Sequence, residues 1–245
     1  MTPATGNQPD KMPAGQTAPN AAWGQVSSKF IRREAALAAS DAKHARIIAQ
    51  RFALLRTRIL REMRSRGWRK LAVVPVTPGA GGTFVAVNLA LALARQPHTR
   101  VALIDFDLGR PGVAGQLGIP GCTAVSAALR EGGDLGGLVS RVNEAPNLSV
   151  LAPERAEPNA AELLQDEALA QAMTRLHDNR PVEISIIDTA ALLDQDAALA
   201  ALPLTDALLL VADGRRGTAA DMEECERLLA GMPPVMGVVL NKSED

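Results

Sequence analysis

Six short runs of this sequence are apolar without alternation: residues 71–76, 101–105, 148–151, 184–188, 207–212 and 235–240. A strand with one wet face alternates apolar and polar side chains. A strand that is apolar throughout needs cover on both faces, as in a parallel sheet held between helix layers. Helical patterns fall between the runs, at residues 84–95, 124–130, 160–177, 194–201 and 218–230. This succession predicts an α/β fold, a doubly wound and mostly parallel sheet. In such sheets ligands sit outside the carboxyl ends of the strands. Those ends carry the polar and glycine-rich positions here: residues 77–83, residues 105–110, Asp188 with Thr189, residues 213–216, and Asn241 with Lys242.

Residues 1–28 are rich in Pro, Gly, Ala, Asn, Thr and Gln, which predicts a disordered tail. Residues 29–66 carry Leu37, Ile47, Ile48, Phe52, Leu55, Ile59 and Leu60 at roughly helical spacing and form a helical N-terminal extension of one or two helices. Residues 67–245 form the α/β domain. With 47% hydrophobic residues but only 2% aromatics and no tyrosine, its core has to be built from Ala, Leu, Val and Ile. Cys122 and Cys225 lack any metal-ligand or redox spacing and read as small buried hydrophobes in a reducing compartment. There is no run of about 20 apolar residues and no apolar leader, so a cytoplasmic location is expected. A formal net charge of −1 gives no general attraction to nucleic acid. The basic residues cluster between Arg32 and Arg69. That segment reads either as a solvated helix face or as a contact for anionic lipid headgroups or an acidic partner tail.

The segment Val76-Thr77-Pro78-Gly79-Ala80-Gly81-Gly82-Thr83 joins an apolar strand to an apolar helix. A phosphate-binding loop reads G-x-x-x-x-G-K-[ST]: its backbone N–H groups cradle phosphates and its Lys reaches the β/γ-phosphates. Gly81 and Thr83 match that pattern, whereas Val76 stands at the first glycine and Gly82 at the lysine. Gly79, Gly81, Gly82 and Thr83 are therefore the candidate phosphate ligands, with Thr83 also a candidate Mg²⁺ ligand. The alternative is a strand-to-helix turn that binds nothing. A second motif, Leu103-Ile104-Asp105-Phe106-Asp107-Leu108-Gly109-Arg110, places two carboxylates at a strand end, where they suit Mg²⁺ or an attacking hydroxyl. A third, Ile184-Ser185-Ile186-Ile187-Asp188-Thr189, ends another apolar strand in a carboxylate, in the manner of a Walker B motif. Each of the last two could equally be a capped strand exit.

The order of these motifs resembles that of the bacterial tyrosine kinases of capsule and exopolysaccharide synthesis, within the MinD/ParA group of P-loop ATPases. The resemblance runs from about Gln50 to Lys242. It includes residues 117–132, Asn147-Leu148-Ser149-Val150-Leu151, Glu157-Pro158-Asn159-Ala160-Ala161-Glu162-Leu163-Leu164 and Gly237-Val238-Val239-Leu240-Asn241-Lys242. It implies ATP or ADP with Mg²⁺ as cofactors, Asp105, Asp107 and Asp188 as catalytic carboxylates, and Thr83, Asp105 and Asp188 around the metal. Gly79, Gly81, Gly82, Thr83, Arg110 and Asn241 would bind the nucleotide. The implied partners are a membrane polysaccharide co-polymerase or chain-length regulator, an intact kinase homologue and further copies of the chain, with attachment to the inner membrane through such a partner.

The departures from the family pattern are specific. Its loop Lys is Gly82, its acidic loop residue is Ala80, and its basic residue after the second motif is Gly109, with Arg110 beside it. Two positions of its oligomerisation signature are Gln50 and Ala53, while Arg56 remains. With no tyrosine, this chain cannot phosphorylate itself on tyrosine. The resulting expectation is a degenerate kinase-like protein with weak or no phosphotransfer. The alternatives are an active kinase or ATPase with a displaced cation, supplied by Arg110, Arg215 or Arg216, and a MinD/ParA-like switch.

Overall fold

A computed structural model describes residues 23–32, 43–130, 134–179, 182–194 and 196–243. An eight-stranded sheet organises the molecule. Its strands are β1 (Gly24–Val26), β2 (Lys70–Pro75), β3 (Val101–Asp105), β4 (Ser140–Val142), β5 (Ala145–Leu151), β6 (Ile184–Asp188), β7 (Ala207–Asp213) and β8 (Val235–Asn241). Their spatial order is β1-β4-β5-β3-β6-β2-β7-β8. All neighbouring pairs are parallel except β4 with β5, which meet antiparallel. The mostly parallel α/β architecture expected from the unbroken apolar runs is thus present, and each of the six runs is a strand.

Helices among the described residues include α1 (Lys43–Arg66), α2 (Gly82–Ala94), α3 (Val113–Leu117), α4 (Val125–Arg130), α5 (Ala160–Leu164), α6 (Glu167–Asn179), α7 (Asp196–Ala201) and α8 (Ala219–Leu228). Helix α2 is apolar nearly all round, the signature of a helix with cover on every side. It buries Val85, Leu89 and Leu93 against the same core that holds Leu71, Val73, Leu103 and Ile186 of the sheet. Ile59, Leu60 and Met63 of α1 join that core, so the N-terminal helix packs on the domain. The other sheet face carries Ile104, Ile187 and Leu151 under α6, and Ala72, Leu208 and Leu210 under α8.

Three expectations need adjusting. Residues 24–28, expected in a disordered tail, are structured: Gly24–Val26 pairs in parallel with β4, and Ser28 donates its N–H to Glu144 and its hydroxyl to the Leu117 carbonyl. The rest of the tail, residues 1–22, and Leu37 lie outside the described residues. The single helix expected over residues 160–177 is two, since Asp166 starts a new helix by accepting the Ala168 N–H on its side chain. The helix expected from residue 218 begins after Thr218, which forms a capping box with Asp221.

Candidate functional site

The carboxyl ends of β2, β3, β6, β7 and β8 converge on the loop between β2 and α2. Gly81 caps α2 with φ 92°, a left-handed conformation that favours glycine. A Cβ there would also lie 2.2 Å from the Asn241 side-chain nitrogen. That nitrogen instead donates to the Ala80 carbonyl at 2.8 Å. Beside it Lys242, at φ 59°, donates from Nζ to the Gly79 carbonyl at 2.5 Å and to Asp213 at 3.0 Å. The end of β8 therefore holds the loop in place from behind. The left-handed backbone at Lys242 costs about 1–2 kcal/mol, which these two charge-assisted contacts offset.

The lysine position is closed as well as empty. A Cβ at Gly82 would stand 2.2 Å from Cγ and 2.9 Å from Cδ of Pro75. The Pro75 ring fills the space through which a side chain would leave. Glycine at 82 is therefore matched to proline at 75, and a side chain at 82 would have to displace the ring.

In front of the loop lies a cleft of about 390 Å³ lined by Gly79, Gly81, Gly82, Thr83, Asp107 and Arg110, among others. Two features favour anionic ligands there: the loop glycines and the N-terminal end of the thirteen-residue helix α2. Asp105 and Asp188 stand directly opposite each other in the β3–β6 register, both fully buried. Asp105 accepts three backbone N–H groups, from Asp107 at 3.2 Å, Gly112 at 2.8 Å and Val113 at 2.9 Å. Burial and the Asp107 charge nevertheless raise its pKa to about 7 against the pull of those bonds. Neither oxygen of Asp188 has a hydrogen-bond partner of normal geometry among the described residues. Burial first, then the charges of Asp105 and Asp107, push its pKa well up, and the nearby Thr83 hydroxyl offsets this only in part. Asp107 is raised by burial, with Arg110 opposing, and one of its oxygens is buried without a partner.

No set of three or more His, Cys, Asp or Glu side chains forms a metal cage among the described residues. Mg²⁺ in phosphoryl-transfer sites needs less, usually one or two carboxylates with phosphate oxygens and water completing the shell. Asp188 and the Thr83 hydroxyl fit that role, and the open Asp188 oxygens are the observation that supports it. Asp105 fits it less well, since its lone pairs already hold the turn into α3.

No protein-family model matches the chain. The curated tyrosine-protein kinase YwqD of Bacillus subtilis is 25% identical over 197 residues, covering 79% of this chain and 80% of that protein. The chain is a homologue of the bacterial tyrosine kinases. Among solved structures, the VpsO kinase domain superposes with a TM-score of 0.70 at 24% identity, over 83% of this chain and all of that one. The fold extends to MinD from Pyrococcus horikoshii, a structure with Mg-ADP, at a TM-score of 0.59 and 21% identity over 72% of each chain. These structural likenesses establish the P-loop NTPase fold of this kinase homologue.

Of the residues singled out in the sequence, Gly79, Gly81, Gly82, Thr83, Asp107 and Arg110 line one cleft. Asp105 and Asp188 lie behind it, and Asn241 braces the loop. Arg215 and Arg216, considered as replacement cations, are not among the residues lining the cleft; the Arg215 N–H instead bonds the Asp213 side chain. The sequence reading missed Pro75 and the brace by Lys242. Lys242 was legible as a cation at the same carboxyl edge as the loop. Pro75 was not, since nothing in a linear sequence places its ring against residue 82.

Proposed function

We propose that this kinase homologue acts in, or regulates, capsule or exopolysaccharide biosynthesis and export by binding, with weak or no phosphoryl transfer. The observation that carries this reading is the Pro75 ring in the space a residue-82 side chain would need. Catalysis of phosphoryl transfer rests almost wholly on positioning and on neutralising charge at the transferred group. The loop here offers backbone dipoles and an open carboxylate but no lysine of its own, and the cation that lines the cleft, Arg110, comes from the turn after β3. Loss of one charge-assisted contact removes about 1.5–3 kcal/mol, and the loss is felt most in the transition state. What remains supports retention of ATP or ADP. A bound Mg²⁺ would supply positive charge against the phosphates and lessen the repulsion among Asp188, Asp105 and Asp107. Thr83 and Asp188 would hold it, and the Gly79–Thr83 backbone would orient the phosphates.

In this proposal the partners are a membrane polysaccharide co-polymerase or chain-length regulator and an intact kinase homologue, with self-association through α1. The protein would be cytoplasmic, meeting the inner membrane through such a partner. No helix among the described residues is long and apolar enough to cross a membrane. Incubation of the purified protein with radiolabelled ATP, Mg²⁺ and a tyrosine-bearing partner tests the reading: no more than background labelling is expected. Strong metal-dependent labelling that disappears in Asp105→Ala would refute it.

A further inference from the structure

We propose that Arg110 is the residue that grips the terminal phosphate of a bound nucleoside di- or triphosphate, and that Asp194 holds it at the cleft rim until ligand arrives. The inference rests on the reading of the cleft as a nucleotide site and names the cation of that site. Among the described residues that line the cleft, Arg110 is the one Lys or Arg. It shares those walls with Gly79, Gly81, Gly82 and Thr83, the segment whose N–H groups suit phosphate oxygens. Lys242, a further cation beside the loop, is committed to the Gly79 carbonyl and Asp213.

Arg110 is anchored at its backbone and adjustable at its tip. Its N–H bonds the Asp107 carbonyl at 2.9 Å, which fixes the turn after β3. Its guanidinium pairs with Asp194 at 2.5 Å, and 53% of the side chain is exposed. An exposed pair of this kind is worth at most about 1 kcal/mol. A phosphate with more than one negative charge, presented in the drier cleft, accepts a forked guanidinium in bidentate fashion and outcompetes one carboxylate.

The pairing makes the test discriminating. Removing either partner abolishes the Arg110–Asp194 bond, so a purely structural bond gives the same sign for both variants. The phosphate role gives opposite signs. Calorimetric titration of the full chain with MgATP, MgADP and inorganic pyrophosphate is expected to show about tenfold or greater weakening in Arg110→Ala. Arg110→Lys is expected to recover part of that loss. Asp194→Ala is expected to bind about threefold or more tightly than wild type. Matching circular dichroism and melting curves establish that the variants fold. Equal binding by wild type and Arg110→Ala, or weakening in both Arg110→Ala and Asp194→Ala, overturns the inference while the nucleotide reading stands. If the wild-type chain binds none of the three probes up to millimolar concentration, the nucleotide reading falls and this inference with it.

Discussion

Asp105 and Asp188 end adjacent strands at the same level of the sheet, and both are fully buried. Their surroundings differ. Asp105 is surrounded by backbone donors and holds the turn that leads into α3. Asp188 meets none among the described residues, and the only relief it receives is from the nearby Thr83 hydroxyl. A fold has no use for a buried carboxylate without partners, because burial of such a group costs free energy until something pairs with it. The difference separates a carboxylate that builds the turn from one that, in the proposed function, is open for a ligand. In the proposed nucleotide site, the parts that hold the backbone are then separate from the parts that would meet phosphates, so loss of the lysine leaves the loop's shape intact.

Four experiments would break or sharpen that contrast. The largest expected effect is Asp105→Ala, which leaves three N–H groups without an acceptor and should destabilise by about 2–4 kcal/mol. In a chain of this size that lowers Tm by about 4–16 °C, at about 2–4 °C per kcal/mol. If Asp105→Ala melts like wild type, Asp105 does not hold the turn. Next, Gly82→Ala should cost about 1–3 kcal/mol through overlap with Pro75, and Pro75→Ala in the same chain should remove most of that cost. The same pairing bears on function. Gly82→Lys alone should not improve nucleotide affinity, whereas Pro75→Ala with Gly82→Lys should. A gain from Gly82→Lys alone would show that the ring does not block the position.

Asp188→Asn should act in the opposite direction to Asp105→Ala, stabilising the ligand-free protein at neutral pH by about 1–2 kcal/mol and weakening its response to Mg²⁺ with nucleotide. Because the folded pKa of Asp188 is raised, the folded state holds the extra proton and the penalty is felt as pH rises. The advantage of Asp188→Asn over wild type should therefore shrink on acidification, and an advantage that grows in acid would reverse the assignment. The smallest effect is a background one. His177 is buried against Ser185, and burial lowers its pKa from 6.5 to about 4. The unfolded chain takes up that proton first, so stability should be full above pH 6.5 and fall by about 2 kcal/mol as pH drops toward 4. Urea titrations of wild type and His177→Gln across that window measure it, and Asp188→Asn read against wild type cancels it.

Much of the scaffold was legible from pattern alone. Six strands and the helix behind the loop follow from unbroken apolar runs, and Asp105, Asp107 and Asp188 follow from their places at strand ends. The short strands β1 and β4 were not legible, since three residues such as Gly24-Gln25-Val26 carry no periodicity and gain their structure from a partner far along the chain. The break at Asp166 was hidden because neither Pro nor Gly marks it. At the site, the missing lysine was plain, but the Pro75 ring that closes its position depends on contact across the start of a helix. Likewise Arg110 stood beside an expected basic position in the sequence, yet its place in the cleft, in contrast to Arg215 and Arg216, required the fold.

The central claim, that the cleft holds nucleotide without turning it over, is tested most directly by a quenched single-turnover experiment with γ-labelled ATP, Mg²⁺ and excess protein. The expected result is label bound to the protein and recovered as intact ATP over hours. Metal-dependent release or transfer of the γ-phosphate on a scale of minutes, abolished in Asp188→Asn, would contradict it.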